Sequence, residues 1–196
     1  IIYTTITEST ANDGSFNWTV LDTITTQALM RISDALDPTV NNTSPGYFKI
    51  QGSFEITQPN GGEAWQAASE QVIKWNKSGS VGFVNLYYSK DSGQTWTPIP
   101  DGQNVANTGS FTWYSVPVDA VSTQARIKVA DASDPEAFDM SNADFKIRCT
   151  LVMTYPNGGE HLRVGRTYNI TWNQVGNPAN IKLEYSRDNF LSDYQT

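Results

Sequence analysis

Histidine and cysteine are almost missing from this chain, each occurring once in 196 residues, as His161 and Cys149. A lone cysteine forms no internal disulfide, so whatever core exists is held without one. Long apolar runs are also lacking. None approaches the roughly 20 residues of a membrane-spanning helix, and no charged-then-apolar leader stands at the start. Basic residues are short, 13 against 20 acidic ones, for a formal charge of -7 and a pI of about 4.6. That balance argues against nucleic-acid phosphates and anionic lipid as partners. No window carries the 3.6-residue apolar period of an amphipathic helix, which leaves short alternating strands as the building material.

What the chain does have is repetition. Pro59-Asn60-Gly61-Gly62-Glu63 returns intact as Pro156-Asn157-Gly158-Gly159-Glu160, and Phe48 and Phe145, Trp75 and Trp172, and Ser89 and Ser186 share the same separation of 97. Trp18 and Trp113, each closing a Ser-Phe-x-Trp run, differ by 95, and Ala28 and Ala125 restore 97. Solenoid turns and propeller blades repeat every 20 to 50 residues or so, whereas this period suits a whole small β-domain. The organisation expected is the C-terminal half of one repeat at 1–50, a complete repeat at 51–148 and the N-terminal half of the next at 149–196. Isolated pieces of about 50 residues are marginal, so the chain reads as part of a longer array.

Strands are expected near 15–20, 27–33 and 46–50 in the first piece. In the complete repeat they are expected at 54–58, 70–76, 83–89, 95–99, 109–116, 123–130 and 142–148. Alternation, compared between copies, turns Ile73, Trp75, Val84, Leu86, Tyr88, Phe111, Trp113, Ile127, Val129, Phe145 and Ile147 inward. The fold class is all-β, a tandem of immunoglobulin- or fibronectin-III-like β-sandwiches. Only Gln51-Gly52-Ser53 separates one repeat from the next, which predicts a stiff joint. The loops 59–64 and 91–94 are expected together at the end facing the third piece, near 173–180. Both half-repeats should carry exposed apolar faces that pair between chains.

Several motifs bear on chemistry. Ser89-Lys90-Asp91-Ser92-Gly93-Gln94-Thr95-Trp96 resembles the Asp-box hairpin of sialidase-type propellers, a structural element there. Asp91 is expected to accept turn N–H groups, Gly93 to supply a positive φ, and Trp96 to pack over the turn. The 59–63 motif has glycines but no P-loop lysine and no following helix, so it reads as a tight turn with Trp65 packed beside it. Asp131, Asp134 and Asp139 form an acidic loop facing the preceding repeat, a candidate Ca²⁺ site or a self-capped turn. His161 stands where the other copy has Ala64, so no Ser–His or Cys–His arrangement recurs and no catalytic residue is singled out. Cys149 falls on the junction as a small apolar side chain. Asn17, Asn42, Asn76 and Asn169 sit in glycosylation sequons.

The Pro-Asn-Gly-Gly-Glu-x-Trp turn, the Ile73-Lys74-Trp75 strand, the Asp91 hairpin and the Ala125-Arg126-Ile127-Lys128-Val129-Ala130-Asp131 strand together resemble the Ser/Thr-rich GPI-anchored family. This is an immunoglobulin-like domain of fungal cell-wall glucan-assembly proteins, found in tandem in secreted prokaryotic proteins. The third copy departs at 189–194. The resemblance implies an extracellular or cell-surface, non-catalytic spacer whose partners are neighbouring repeats. A second reading is an adhesion module that holds cell-wall polysaccharide or a surface protein on the outward Tyr87 and Tyr114. A third is an accessory domain of a secreted hydrolase.

Overall fold

The computed structural model describes residues 3–187, 189 and 190; Asp188 and most of the divergent stretch 189–194 lie outside them. The first piece holds β1 (Thr25–Ala28), β2 (Arg31–Ser33), β3 (Asn41–Thr43) and β4 (Phe48–Ile50). The central unit follows with β5 (Ser53–Gln58), β6 (Ala64–Gln66), β7 (Gln71–Ser78), β8 (Phe83–Ser89) and β9 (Thr97–Pro98). It continues with β10 (Val105–Ala106), β11 (Ser110–Trp113), β12 (Ser122–Asp131), β13 (Phe138–Met140) and β14 (Phe145–Arg148). The third piece adds β15 (Thr150–Tyr155) and β16 (Thr171–Val175).

Two sheets face each other in the central unit. One has the order β11-β7-β5; the other runs β10-β8-β12-β14-β6, with β9 on β8 and β13 on β12. Their inward side chains form a single core drawn wholly from 56–147: Ile56, Ile73, Trp75 and Trp113 from the first sheet meet Leu86, Tyr88, Ile127, Val129, Phe145 and Ile147 from the second. The alternation of β8 and β12 produces this, because a two-residue period on each strand presents one apolar row to the gap. The expected inward set is buried apart from Phe111, which packs half-buried at the margin.

Trp65 departs from its expected place. It leaves the turn for the core, 4.8 Å from the Phe145 ring and 6.5 Å from Trp113. Its strand, β6, was hidden by its brevity, and it pairs parallel to β14, Ile147 opposite Trp65. The expected strand 142–148 begins only at Phe145, as β14, and a further short strand, β13, precedes it at 138–140. Between the two, Asn142 N–H donates to Asn60 Oδ1, and a Cβ on Gly61 would lie 2.6 Å from that of Ala143. The glycine turn docks there and interrupts the ladder.

The pairing of the flanking pieces follows the central unit at the same spacing of 97. Arg31 opposite Thr43 and Ile32 opposite Asn42 correspond to Lys128 opposite Met140 and Val129 opposite Asp139. Thr25 opposite Ile50 corresponds to Ser122 opposite Ile147. On the other side, Met153 opposite Trp172 and Tyr155 opposite Thr171 correspond to Ile56 opposite Trp75 and Gln58 opposite Lys74, with the same register shift between them.

The expected strand 15–20 does not form. Its counterpart β11 is paired with β7, and the first piece contains no counterpart of β7. Likewise 180–185, within the counterpart of β8, forms no strand, for the neighbour it needs is a counterpart of β12. A strand exists through its ladder, so each flanking piece keeps only the strands whose partners it contains.

Candidate functional site

Three places in the central unit gather polar and aromatic side chains: the Asp91 hairpin, the outer face of β8 and β12, and the joints with the flanking pieces.

The hairpin closes as its composition demands. Asp91 Oδ1 accepts from Thr95 N–H at 2.8 Å and from Ser89 Oγ at 2.6 Å, and Oδ2 accepts from the Thr95 hydroxyl at 2.5 Å. Gly93 has φ +87°, and Trp96 lies over it, its Cζ2 3.2 Å from where a Cβ would stand. The hydroxyls of Ser89 and Thr95, then the Thr95 N–H, hold the Asp91 carboxyl down to a pKa of about 2. Its folded value thus lies below the unfolded value of about 3.9. The stabilisation is complete above the unfolded value and is lost as pH falls through the folded one. Asp91→Asn should therefore flatten the loss of stability between about pH 4 and pH 2, read as urea midpoints across that range.

Asp144 joins this hairpin to the glycine turn. Its carboxylate accepts from Arg126 Nε at 2.6 Å and from Ser92 Oγ at 2.7 Å, while its carbonyl accepts from Gly62 N–H. The Arg126 guanidinium, followed by the Ser92 hydroxyl, lowers the Asp144 pKa. The loops 59–64 and 91–94 thus share one end, as expected. No hydrogen bond joins them to 173–180 among the described residues; loop 117–121 meets the third piece instead, through Asn177 N–H to Val118 O. The glycine turn is capped alike in both copies. Glu63 accepts from Asn60 and Gly61 N–H at 2.8 Å, and Glu160 accepts from Asn157 and Gly158 N–H at 2.7 Å.

Tyr87 and Tyr114 do not form one platform. Tyr87 projects from β8, and Tyr114 follows β11 in the opposite sheet, exposed beside a shallow cleft lined by Pro100, Asp101 and Pro117. Alternation gave the outward facing of each but not its sheet. Tyr87 instead belongs with Trp96 and Phe138 around Lys128, whose Nζ lies 4.6, 4.8 and 5.7 Å from the three ring centroids. Burial among these rings lowers the Lys128 pKa, and the ring faces repay part of the lost hydration. Arg31, the counterpart of Lys128, stands 3.9 Å over the Tyr3 ring.

The acidic loop does face the preceding piece, but its three carboxylates diverge. Asp131 is buried and accepts from Ser133 N–H at 2.8 Å; Asp139 turns to Ile56 N–H at 2.6 Å, satisfying the donor beside the register shift of β5. Asp134 alone points outward, to Lys49 at 3.2 Å and to Gln51 Nε2 at 2.6 Å. Those two partners, Gln51 foremost, lower its pKa. Among the described residues no three His, Cys, Asp or Glu side chains converge as a metal-binding group. Spacing in the sequence placed these carboxylates on one loop, whereas their directions follow from separate backbone donors.

The joints hold what the sequence reading passed over. At the first, a Cβ on Gly79, φ +88°, would stand 3.1 Å from Gly52 Cα and 3.4 Å from Ile24 Cδ1. At the second, a Cβ on Gly176, φ +90°, would stand 3.1 Å from Cys149 Cα and 2.8 Å from Val121 Cγ2. The three positions recur at the spacing of 97, Gly79 as Gly176, Gly52 as Cys149 and Ile24 as Val121, so the units are seated alike, with no room for a side chain on the repeated glycine. Lys49 to Glu136 at 2.5 Å, and Asp22 to Ser80 by side chain and by N–H, tie the first joint further. The repeated glycines at 79 and 176 were the signal that would have found the seat. Compared with known protein families and with characterised proteins, the chain matches none.

Proposed function

We propose that the chain is a non-catalytic spacer, a stretch of stiff immunoglobulin-like sandwiches repeated in tandem in an extracellular or cell-surface protein. The observation that carries this reading is the joint. A flexible linker would leave successive units free to adopt different contacts, whereas Gly52, Ile24 and Gly79 at one joint and Cys149, Val121 and Gly176 at the other make the same ones. A module that only sets distance needs a constant rise per unit, and a shared seat supplies it.

Stiffness is tested on the full chain by spin-label distance measurements between Leu36→Cys and Glu70→Cys, both exposed positions, in a Cys149→Ser background. One narrow distance distribution is expected. Gly52→Val, whose Cβ would overlap Val81 Cγ2, should broaden it while the central unit stays folded. A broad distribution before that substitution would sink the spacer reading. Adhesion to polysaccharide or a surface protein is favoured by one feature, the aromatic face of Tyr87, Trp96 and Phe138. That face is filled by the chain's own Lys128.

A further inference from the structure

The free edge of β11 opens on a cleft whose walls all belong to residues 100–117 of the central unit. β11 ends its sheet, with β7 on one side only. Trp75 N–H donates to Gly109 O, and the pairing of Phe111 with Ile73 continues that register, so Gly109, Phe111 and Trp113 turn their peptide groups to β7. Thr112, between them, turns its N–H and C=O to the open side. The 3₁₀ turn Pro100–Gly102 stands beside this edge and brings Asp101 to the cleft. Residues of both alternations line it, Phe111 and Trp113 as well as Thr112 and Tyr114, so it runs along the edge of the sheet and not on either face.

Size and polar groups decide what such a cleft takes. Its volume is about 140 Å³, well under the roughly 300 Å³ at which pockets hold a whole drug-sized ligand, so it takes a single ring. Tyr114 is 72% exposed and offers its ring for stacking. Thr112 N–H is a donor, while Thr112 C=O and the Asp101 carboxylate are acceptors, and none of them has a hydrogen-bond partner among the described residues. An ammonium or guanidinium accepts nothing and would leave the donor unmet. A carboxylate or phosphate would leave the acceptors unmet and would face Asp101 in a chain of formal charge -7. Hydroxyl groups donate and accept alike. A pyranose joins several of them to a flat C–H face that lies well on an aromatic ring. We propose that the cleft binds one hexopyranose residue of a neutral polysaccharide, stacked on Tyr114, with hydroxyls that donate to Asp101 and accept from Thr112 N–H. Tyr114 falls where the first copy has Thr19, so the repeated core does not call for a tyrosine there. The Tyr87 face is filled by Lys128, whereas this cleft stands open.

A spacer can carry such a cleft, and a broad spin-label distribution would overturn the stiff joint without touching it. Affinity electrophoresis of the full chain is the test, through gels that hold dextran, galactomannan, xyloglucan or laminarin, with polygalacturonate as the acidic comparison. At least one of the four neutral polymers should retard the chain. Tyr114→Ala should weaken that retardation at least about tenfold in apparent Kd, because the stacking ring is gone. Asp101→Asn should weaken it too, since an amide presents one acceptor oxygen where the carboxylate presents two. Tyr114→Phe should bind as the parent does, for the ring makes the stack. Both positions are exposed, so the thermal transition of the central unit should be unchanged in all three variants. Retardation by none of the neutral polymers overturns the proposal. So does retardation by polygalacturonate alone, or a Tyr114→Ala variant retarded like the parent.

Discussion

Replacing Trp75 by alanine is expected to lower the unfolding free energy of the central unit by about 3–5 kcal/mol, much of a small domain's stability. The indole is buried between the two sheets, so its loss removes a large apolar area and leaves a cavity whose walls cannot close. It also has a polar partner. Trp75 Nε1 donates to Asn107 Oδ1 at 2.9 Å, and Asn107 Nδ2 donates to Val81 O at 3.0 Å, both within the buried region. Truncation therefore strands an amide oxygen that water does not reach, which takes the cost towards the upper end. Trp75→Phe separates the two contributions, since it keeps most of the volume and loses only the donor. It should cost clearly less than alanine in the same denaturant titration. A Trp75→Ala variant within about 1 kcal/mol of the parent would mean the core is not shared between the sheets.

Gly61→Ala should rank next, with a loss of several kcal/mol. Gly61 has φ +133°, a region that L-residues enter only under strain of about 1–3 kcal/mol. An added Cβ would stand 2.6 Å from Ala143 Cβ and 3.3 Å from its Cα, so the glycine turn would have to lift from the chain between β13 and β14. Lifting it also pulls at Ser141, whose buried hydroxyl donates to Pro59 O at 2.8 Å. Gly158, its counterpart with φ +123°, faces nothing within 4 Å. Gly158→Ala should thus leave the transition of the central unit where it was. Gly62→Ala, at φ +83° in the central unit with open space around the added Cβ, carries the strain without the clash, and a loss equal to that of Gly61→Ala would show that the docking at Ala143 contributes nothing.

Both expectations concern positions that the sequence already marked. Trp75 and Trp172 recur at one spacing and alternate with polar neighbours, a pattern that by itself places the side chain inside. Strand 83–89 was legible for the same reason, and β8 has those bounds. Alternation says nothing of partners, however. The run Phe16-Asn17-Trp18 reads as a strand as clearly as Phe111-Thr112-Trp113, yet only the second has β7 beside it. Three-residue β6 escaped notice because a period of two needs more length than that to declare itself. Directions of short polar side chains escaped too. Asp131, Asp134 and Asp139 lie close in sequence, but a backbone N–H at Ser133, another at Ile56 and the ammonium of Lys49 draw them apart.

The parallel pairing of β6 with β14 also decides how the central unit meets a pull. Tension along the chain enters through β5, just after Gly52, and leaves through β14 into β15. β6 continues from the entering side, and its three pairs, Ala64 with Lys146, Trp65 with Ile147 and Gln66 with Arg148, run in the same direction as the departing strand. Opposed forces on two parallel strands act along the ladder and load its hydrogen bonds in shear, all at once, where a hairpin pulled from its open end would unzip one pair at a time. Once the load has drawn β5 off β7, this strand of three residues is the clasp that it meets next.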